Sequence, residues 1–167
     1  MFEVFRKKET LEPISVSDSM VVAPADGEMI PIEQVNDKVF SQKMMGDGVA
    51  FKYDGRSITL CAPANGVLSM LYPTGHAFGV TMNNGVQIMV HIGLDTVEAN
   101  GDGFRLCSLK QDDPVKSGDP IVEVDLDKLR KTYDMTTMLI VVDANGQDIR
   151  FNDPCQVKRG DSIIEKM

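Results

Sequence analysis

Basic residues are scarce in this chain, and histidines scarcer still. Its 167 residues include 17 Lys or Arg against 25 Asp or Glu, for a formal net charge of −8 and a pI of about 4.7. Binding a phosphate backbone needs basic patches, so the balance argues against a nucleic-acid partner. It suits a basic protein partner, because complementary fields speed encounter. The three cysteines, Cys61, Cys107 and Cys155, form no CxxC pair. A disulfide framework or structural zinc site is not expected, and a reducing cytoplasm is the natural setting. No apolar run approaches the roughly 20 residues that span a bilayer, and the start of the chain lacks the apolar core of a signal peptide. Also missing are a GxxxxGK[ST] phosphate loop and a GxSxG nucleophile elbow, which argues against nucleotide hydrolysis and serine-hydrolase chemistry. The acidic residues are dispersed and suggest no catalytic carboxylate pair.

The chain instead holds many short apolar runs punctuated by Gly, Pro, Asn and Asp. Hydrophobic residues make up 43%, a globular composition. The pattern predicts strands near 20–23, 27–32, 48–53, 57–62, 66–72, 77–83, 86–92, 104–109, 120–124, 136–143 and 162–165. Helical signal is confined to a turn capped by Asp125 and carrying Leu126 and Leu129, and a second turn near 34–40. The expectation is an all-β antiparallel sandwich or barrel with one or two short helical turns. Residues 20–167 read as a single domain behind a flexible segment, 1–19. Within that segment Met1 to Lys8 sets Phe2, Val4 and Phe5 beside Arg6, Lys7 and Lys8, and reads as a frayed, charged tail rather than a weak membrane anchor.

Two strings recur. Ala23-Pro24-Ala25-Asp26-Gly27 returns 39 positions later as Ala62-Pro63-Ala64-Asn65-Gly66. Val115-Lys116-Ser117-Gly118-Asp119 returns 42 positions later as Val157-Lys158-Arg159-Gly160-Asp161. Turn chemistry favours such strings by itself, but two paired repeats in a small chain point to an internally duplicated β architecture.

Of the two histidines, His91 lies in a strand-like run. Alternation puts Ile88, Val90, Ile92 and Leu94 on a core face, and His91 on the other face with Gln87, Met89 and Gly93, where Gly93 leaves space beside the ring. An imidazole held on a rigid sheet beside an apolar neighbour suits reaction with another macromolecule; a solvated surface histidine of no consequence fits the same pattern. His76 follows the turn-like Tyr72-Pro73-Thr74-Gly75. Simple alternation groups it with Phe78, Val80 and Met82, the face of a core histidine. A neutral imidazole is a good nucleophile near pH 7 and takes a phosphoryl group directly. A second histidine could then donate to the phosphoryl oxygens, with a hydroxyl such as Thr74 orienting its ring.

The string Gly85-Val86-Gln87-Ile88-Met89-Val90-His91-Ile92-Gly93-Leu94-Asp95-Thr96-Val97 resembles the phosphorylation-site signature of the glucose-type enzyme IIA family of the bacterial sugar phosphotransferase system. Thr74-Gly75-His76-Ala77 resembles that family's second-histidine motif. Further likenesses, from Ala23-Pro24-Ala25-Asp26-Gly27-Glu28 to Val115-Lys116-Ser117-Gly118-Asp119, run in the family's order over roughly residues 20–166. The resemblance implies a sandwich of the duplicated hybrid kind and a phosphocarrier that needs no cofactor. His91 would accept phosphate at Nε2 from the small carrier HPr and pass it to a cysteine on a IIB domain during sugar uptake. His76 would stabilise the phosphoryl group, with Thr74 hydrogen-bonded behind it. Partners would dock on an apolar surface of Val39, Phe40, Met45, Tyr72, Met89 and Val97, rimmed by Asp37 and Asp95. Family members also bind permeases and metabolic enzymes, so a regulatory binding module is a compatible reading. With no IIB or IIC segment in the sequence, the chain reads as a stand-alone IIA protein or an excised domain. One rival is a zinc peptidase on the same architecture, with His76, His91 and Asp95 as ligands, although an HxH pair is missing because residue 78 is Phe.

Overall fold

A computed structural model describes residues 11–165 and 167. The reading of Met1 to Lys8 lies outside the described residues. The strands are β1 (Gly27–Pro31), β2 (Gly48–Lys52), β3 (Ser57–Cys61), β4 (Gly66–Leu71), β5 (Ala77–Met82), β6 (Gln87–Ile92), β7 (Phe104–Leu106), β8 (Pro114–Val115), β9 (Pro120–Asp125), β10 (Thr137–Asp143) and β11 (Gln156–Val157). One sheet runs β11-β1-β2-β10-β6-β5-β4-β8 and the other β3-β9-β7, with antiparallel pairing throughout. This is the expected antiparallel all-β sandwich. No helix among the described residues is long and apolar enough to cross a membrane.

The repeats explain how the sandwich closes. Each Ala-Pro-Ala-Asx-Gly string meets one Val-Lys-x-Gly-Asp string, and the two meetings are alike bond for bond. Asn65 Oδ1 accepts from the Ser117 N–H at 2.8 Å, as Asp26 Oδ1 does from the Arg159 N–H at 2.8 Å. The Ala62 N–H donates to the Asp119 carbonyl, and the Ala23 N–H to the Asp161 carbonyl, both at 2.8 Å. Gly66 pairs with Val115 on β8, and Gly27 with Val157 on β11. Val22 N–H to the Pro63 carbonyl and Cys61 N–H to the Pro24 carbonyl tie the two copies together. Residues 12–16 cross this junction. Arg159 donates to the Gly118 and Glu12 carbonyls, and Asn65 donates to the Val16 carbonyl.

This junction accounts for the differences from the sequence expectation. The strands expected at 20–23 and 162–165 are only isolated bridges, Val22 with Ser162 and Phe151 with Ile164. Val22 and Ala23 donate to two different segments, so no ladder grows there. Conversely, the Val-Lys-x-Gly-Asp turns carry two short strands, β8 and β11, that were not expected. The 104–109 strand stops at Leu106. The helical region expected near 34–40 is two pieces, a 3-10 turn Ile32–Gln34 and helix α1, Lys38–Ser41, N-capped by the Asp37 carboxylate. Asp125 caps helix α2, Leu126–Leu129, as its position suggested.

The main core lies between the sheets and is built on Phe51, Leu60, Leu68, Phe78, Val90 and Leu139. A smaller cluster covers the other face of the large sheet, where α1 and the 3-10 turn set Phe40, Ile32 and Val35 on Ala50, Met89 and Met138. β6 separates the two as alternation predicts: Ile88, Val90 and Ile92 enter the main core, and Met89 enters the smaller cluster. Leu94 does not follow Ile92. It joins the smaller cluster, because Gly93 at φ +79° interrupts the alternation.

Candidate functional site

His91 is the fifth residue of β6, a central strand paired with β5 on one side and β10 on the other. Ladders on both sides fix its backbone, and Ala77 and Met138 lie directly across from it. Its ring Nδ1 lies 2.9 Å from the Gly93 carbonyl oxygen. A carbonyl only accepts, so Nδ1 carries the proton of the neutral ring and the Nε2 lone pair is free. Gly93 thus matters through its backbone. A side chain built on it would strike Thr96 and Met135, so it does not open space beside the imidazole.

His76 ends the turn before β5. It is 3% exposed, yet its ring is not in the main core. Ala77 and His91 are direct cross-strand partners on one face, so straight alternation would send His76 inward. Gly75, at φ +78°, and the tight turn closed by Gly75 N–H to the Tyr72 carbonyl break that alternation. The His76 ring instead meets His91 edge to face, with centroids 5.4 Å apart and planes at 79°. Thr74 Oγ1 lies 2.7 Å from His76 Nδ1. The His76 carbonyl also accepts from the Ile92 N–H, which locks the two histidine segments together.

Two further rings flank the pair. Phe40 lies 5.2 Å from His91 and Tyr72 lies 4.9 Å from His76. Burial lowers the pKa of His91; the Gly93 carbonyl, Asp37 and Asp95 partly oppose it. Burial lowers that of His76 too, helped by its neighbour His91. Both shifts favour the neutral rings.

The apolar residues read as a docking surface divide into two groups. Val39, Met45, Tyr72 and Val97 are exposed on the segments that border the histidines. Phe40 and Met89 are buried in the smaller cluster, beneath that surface. Asp37 is half-buried at the head of α1, while Asp95 is exposed with φ +60° at the head of the 3-10 turn Thr96–Ala99. Sequence reasoning left Met44 out of the docking set, although at 69% it is the most exposed large apolar side chain among the described residues. The neighbouring Met45 was the available signal. The zinc alternative gains no support: among the described residues no group of three or more His, Cys, Asp or Glu side chains is placed to hold a metal ion.

Comparisons with known proteins agree with this geometry. The family model for the phosphoenolpyruvate-dependent sugar phosphotransferase system, EIIA 1, matches residues 19–147. Two similar relatives come from Staphylococcus carnosus. They are a PTS system glucose-specific EIICBA component, 39% identical over 94% of this chain, and a glucoside-specific EIICBA component, 34% identical over 93%. The chain spans about a quarter of the length of these relatives, 23% and 22%. The solved glucose permease IIA from Mycoplasma capricolum superposes with a TM-score of 0.80 at 37% identity, covering 87% of this chain and 93% of that one. The chain belongs to the EIIA 1 family, the phosphocarrier components of the phosphoenolpyruvate-dependent sugar phosphotransferase system.

Proposed function

We propose that His91 Nε2 is the phosphoryl acceptor of this phosphocarrier, that His76 stabilises the bound phosphoryl group, and that Thr74 orients His76. The observation that carries the reading is the pairing of the two rings with each Nδ1 already engaged, His91 on the Gly93 carbonyl and His76 on the Thr74 hydroxyl. The donor is the phosphohistidine of HPr. The Nε2 lone pair forms the new N–P bond while the donor's P–N bond breaks, and that electron pair stays with the donor ring. The proton of His91 stays on Nδ1, which goes on donating to the Gly93 carbonyl, so no proton need move within this site. With the Thr74 hydroxyl donating to Nδ1, His76 carries its proton on Nε2 and donates it to a phosphoryl oxygen. Transfer of this kind rests on positioning and charge stabilisation. Onward transfer goes to the cysteine thiolate of a IIB domain.

The exposed Val39, Met45, Tyr72 and Val97 form the docking patch, and Asp37 and Asp95 face a basic partner. Phe40 and Met89 support the patch from below. Cys61, Cys107 and Cys155 form no disulfide, in keeping with a cytoplasmic setting. The test is to mix the protein with enzyme I, HPr and labelled phosphoenolpyruvate. Acid-labile, base-stable label on the wild type and none on His91→Gln is the expected result. Full labelling of His91→Gln would remove the site assignment.

A further inference from the structure

In a neutral imidazole only the nitrogen without a proton can attack phosphorus. The reaction at His91 Nε2 therefore depends on Nδ1 keeping its proton, and so on the Gly93 carbonyl staying where it is. Each polar group of the two peptide units next to this contact has one assigned partner. The Gly93 N–H donates to the Thr136 carbonyl at 3.1 Å and the Leu94 N–H to the Asp134 carbonyl at 2.8 Å. The Gly93 carbonyl faces His91. The remaining group, the Ile92 carbonyl, accepts from Thr96 Oγ1 at 2.5 Å. Three of these four partnerships involve only the backbone or His91 itself. The fourth depends on one hydroxyl, and Thr96 is fully buried. Its methyl bears on the same spot: a side chain built on Gly93 would come within 2.5 Å of Thr96 Cγ2 and 2.9 Å of Met135 Sδ. Gly93 sits at φ +79°, a region glycine enters without strain but does not prefer, so the aim of its peptide is left to these contacts.

We infer that Thr96 is a positioning residue for phosphoryl transfer: by clamping the Ile92 carbonyl it sets the Gly93 carbonyl that keeps His91 in the Nδ1–H tautomer with Nε2 free. The inference rests on His91 being the acceptor. Without the hydroxyl, the buried Ile92 carbonyl is left unpaired, its peptide turns to find another donor, and Gly93 turns with it. His91 then samples the other tautomer, in which Nε2 carries the proton and cannot attack.

The test uses the full chain with Thr96→Val, which keeps the shape and puts a methyl in place of the hydroxyl, and Thr96→Ser, which keeps the hydroxyl and removes the methyl. Nitrogen-15 NMR at neutral pH reads the His91 tautomer, and the initial rate of labelling from phospho-HPr reads its consequence. The wild type and Thr96→Ser are expected to show Nδ1–H alone and similar rates. Thr96→Val is expected to show mainly the Nε2–H tautomer and a rate lower by about tenfold, the scale of one lost hydrogen bond. A wild-type tautomer and rate in Thr96→Val would overturn the inference. Should Thr96→Val fail to fold, Thr96→Ser decides: a mixed tautomer there would overturn the hydroxyl's role. If the wild type takes no label from charged HPr, the phosphocarrier reading fails, and the tautomer measurement still judges Thr96 separately.

Discussion

His76 and His91 meet edge to face at 5.4 Å, and an aromatic ring closes each end of the pair, Phe40 on His91 and Tyr72 on His76. The four rings follow one another in contact, and Phe40 at one end belongs to the smaller apolar cluster. Under the proposed reading, the row places the accepting nitrogen of His91 beside the donor on His76.

On the proposed reading, the two histidines carry separable duties. With His76→Gln, HPr is expected to charge the protein still, because His91 keeps its Gly93 contact. Onward transfer to a IIB domain is expected to slow by about 100-fold, the scale of losing a positioned donor at the transition state. Single-turnover measurement of both half-reactions checks this; equal onward rates would show that His76 has no such part.

Stability is expected to depend on the two imidazoles in a defined direction. Both folded-state pKa values lie below the ordinary value, chiefly through burial. Below about pH 6.5 the unfolded chain therefore binds more protons than the folded one. The stabilisation is whole above that pH and is lost as pH falls toward the lowered folded values. Urea unfolding of wild type at pH 7.5 and 5.5, beside a His76→Gln, His91→Gln double variant, measures it. The wild type should lose more stability than the variant between the two pH values.

Phe40 and Val39 are neighbours on one short helix with opposite fates, buried and 41% exposed. Phe40→Ala is expected to cost about 3 kcal/mol, because it empties the smaller cluster. It should also raise the His91 pKa toward the ordinary value by letting in water. Val39→Ala should change stability by less than about 0.5 kcal/mol and instead weaken productive encounter with HPr. Urea melts, histidine NMR titration and the dependence of charging rate on HPr concentration separate the two.

The sheet that carries His91 depends on a close approach at Gly48. A side chain built there would sit 2.1 Å from the Leu139 carbonyl oxygen and 2.9 Å from Ile140 Cδ1. Backbone on a central strand cannot step aside, so Gly48→Ala is expected to cost more than about 3 kcal/mol. Thermal melting checks it; an unchanged midpoint would mean that β2 and β10 can separate locally.

Much of this was legible in the chain itself. Alternation around His91 set Ile88, Val90 and Ile92 inward and the imidazole outward, because a strand between two ladders has no freedom to do otherwise. The paired repeats announced a duplication, because Asp or Asn must stand opposite the same turn in both copies to cap its N–H. The antiparallel class followed from the density of short apolar runs. Other features depended on long-range contact. His76 left its apparent core register because a left-handed glycine and a turn outweigh alternation at a strand's first residue. Leu94 crossed to the other cluster for a like reason at Gly93. Phe40 and Val39 look alike in sequence, and only the sheet beneath α1 determines which is buried. The tautomer of His91 depends on a carbonyl two residues away whose aim is set by Thr96, Thr136 and Asp134. The sequence by itself determined which residues alternate, turn and repeat, since those are properties of neighbouring backbone. Only the tertiary structure decided which rings touch and which nitrogen is free, since those depend on segments that meet from distant parts of the chain.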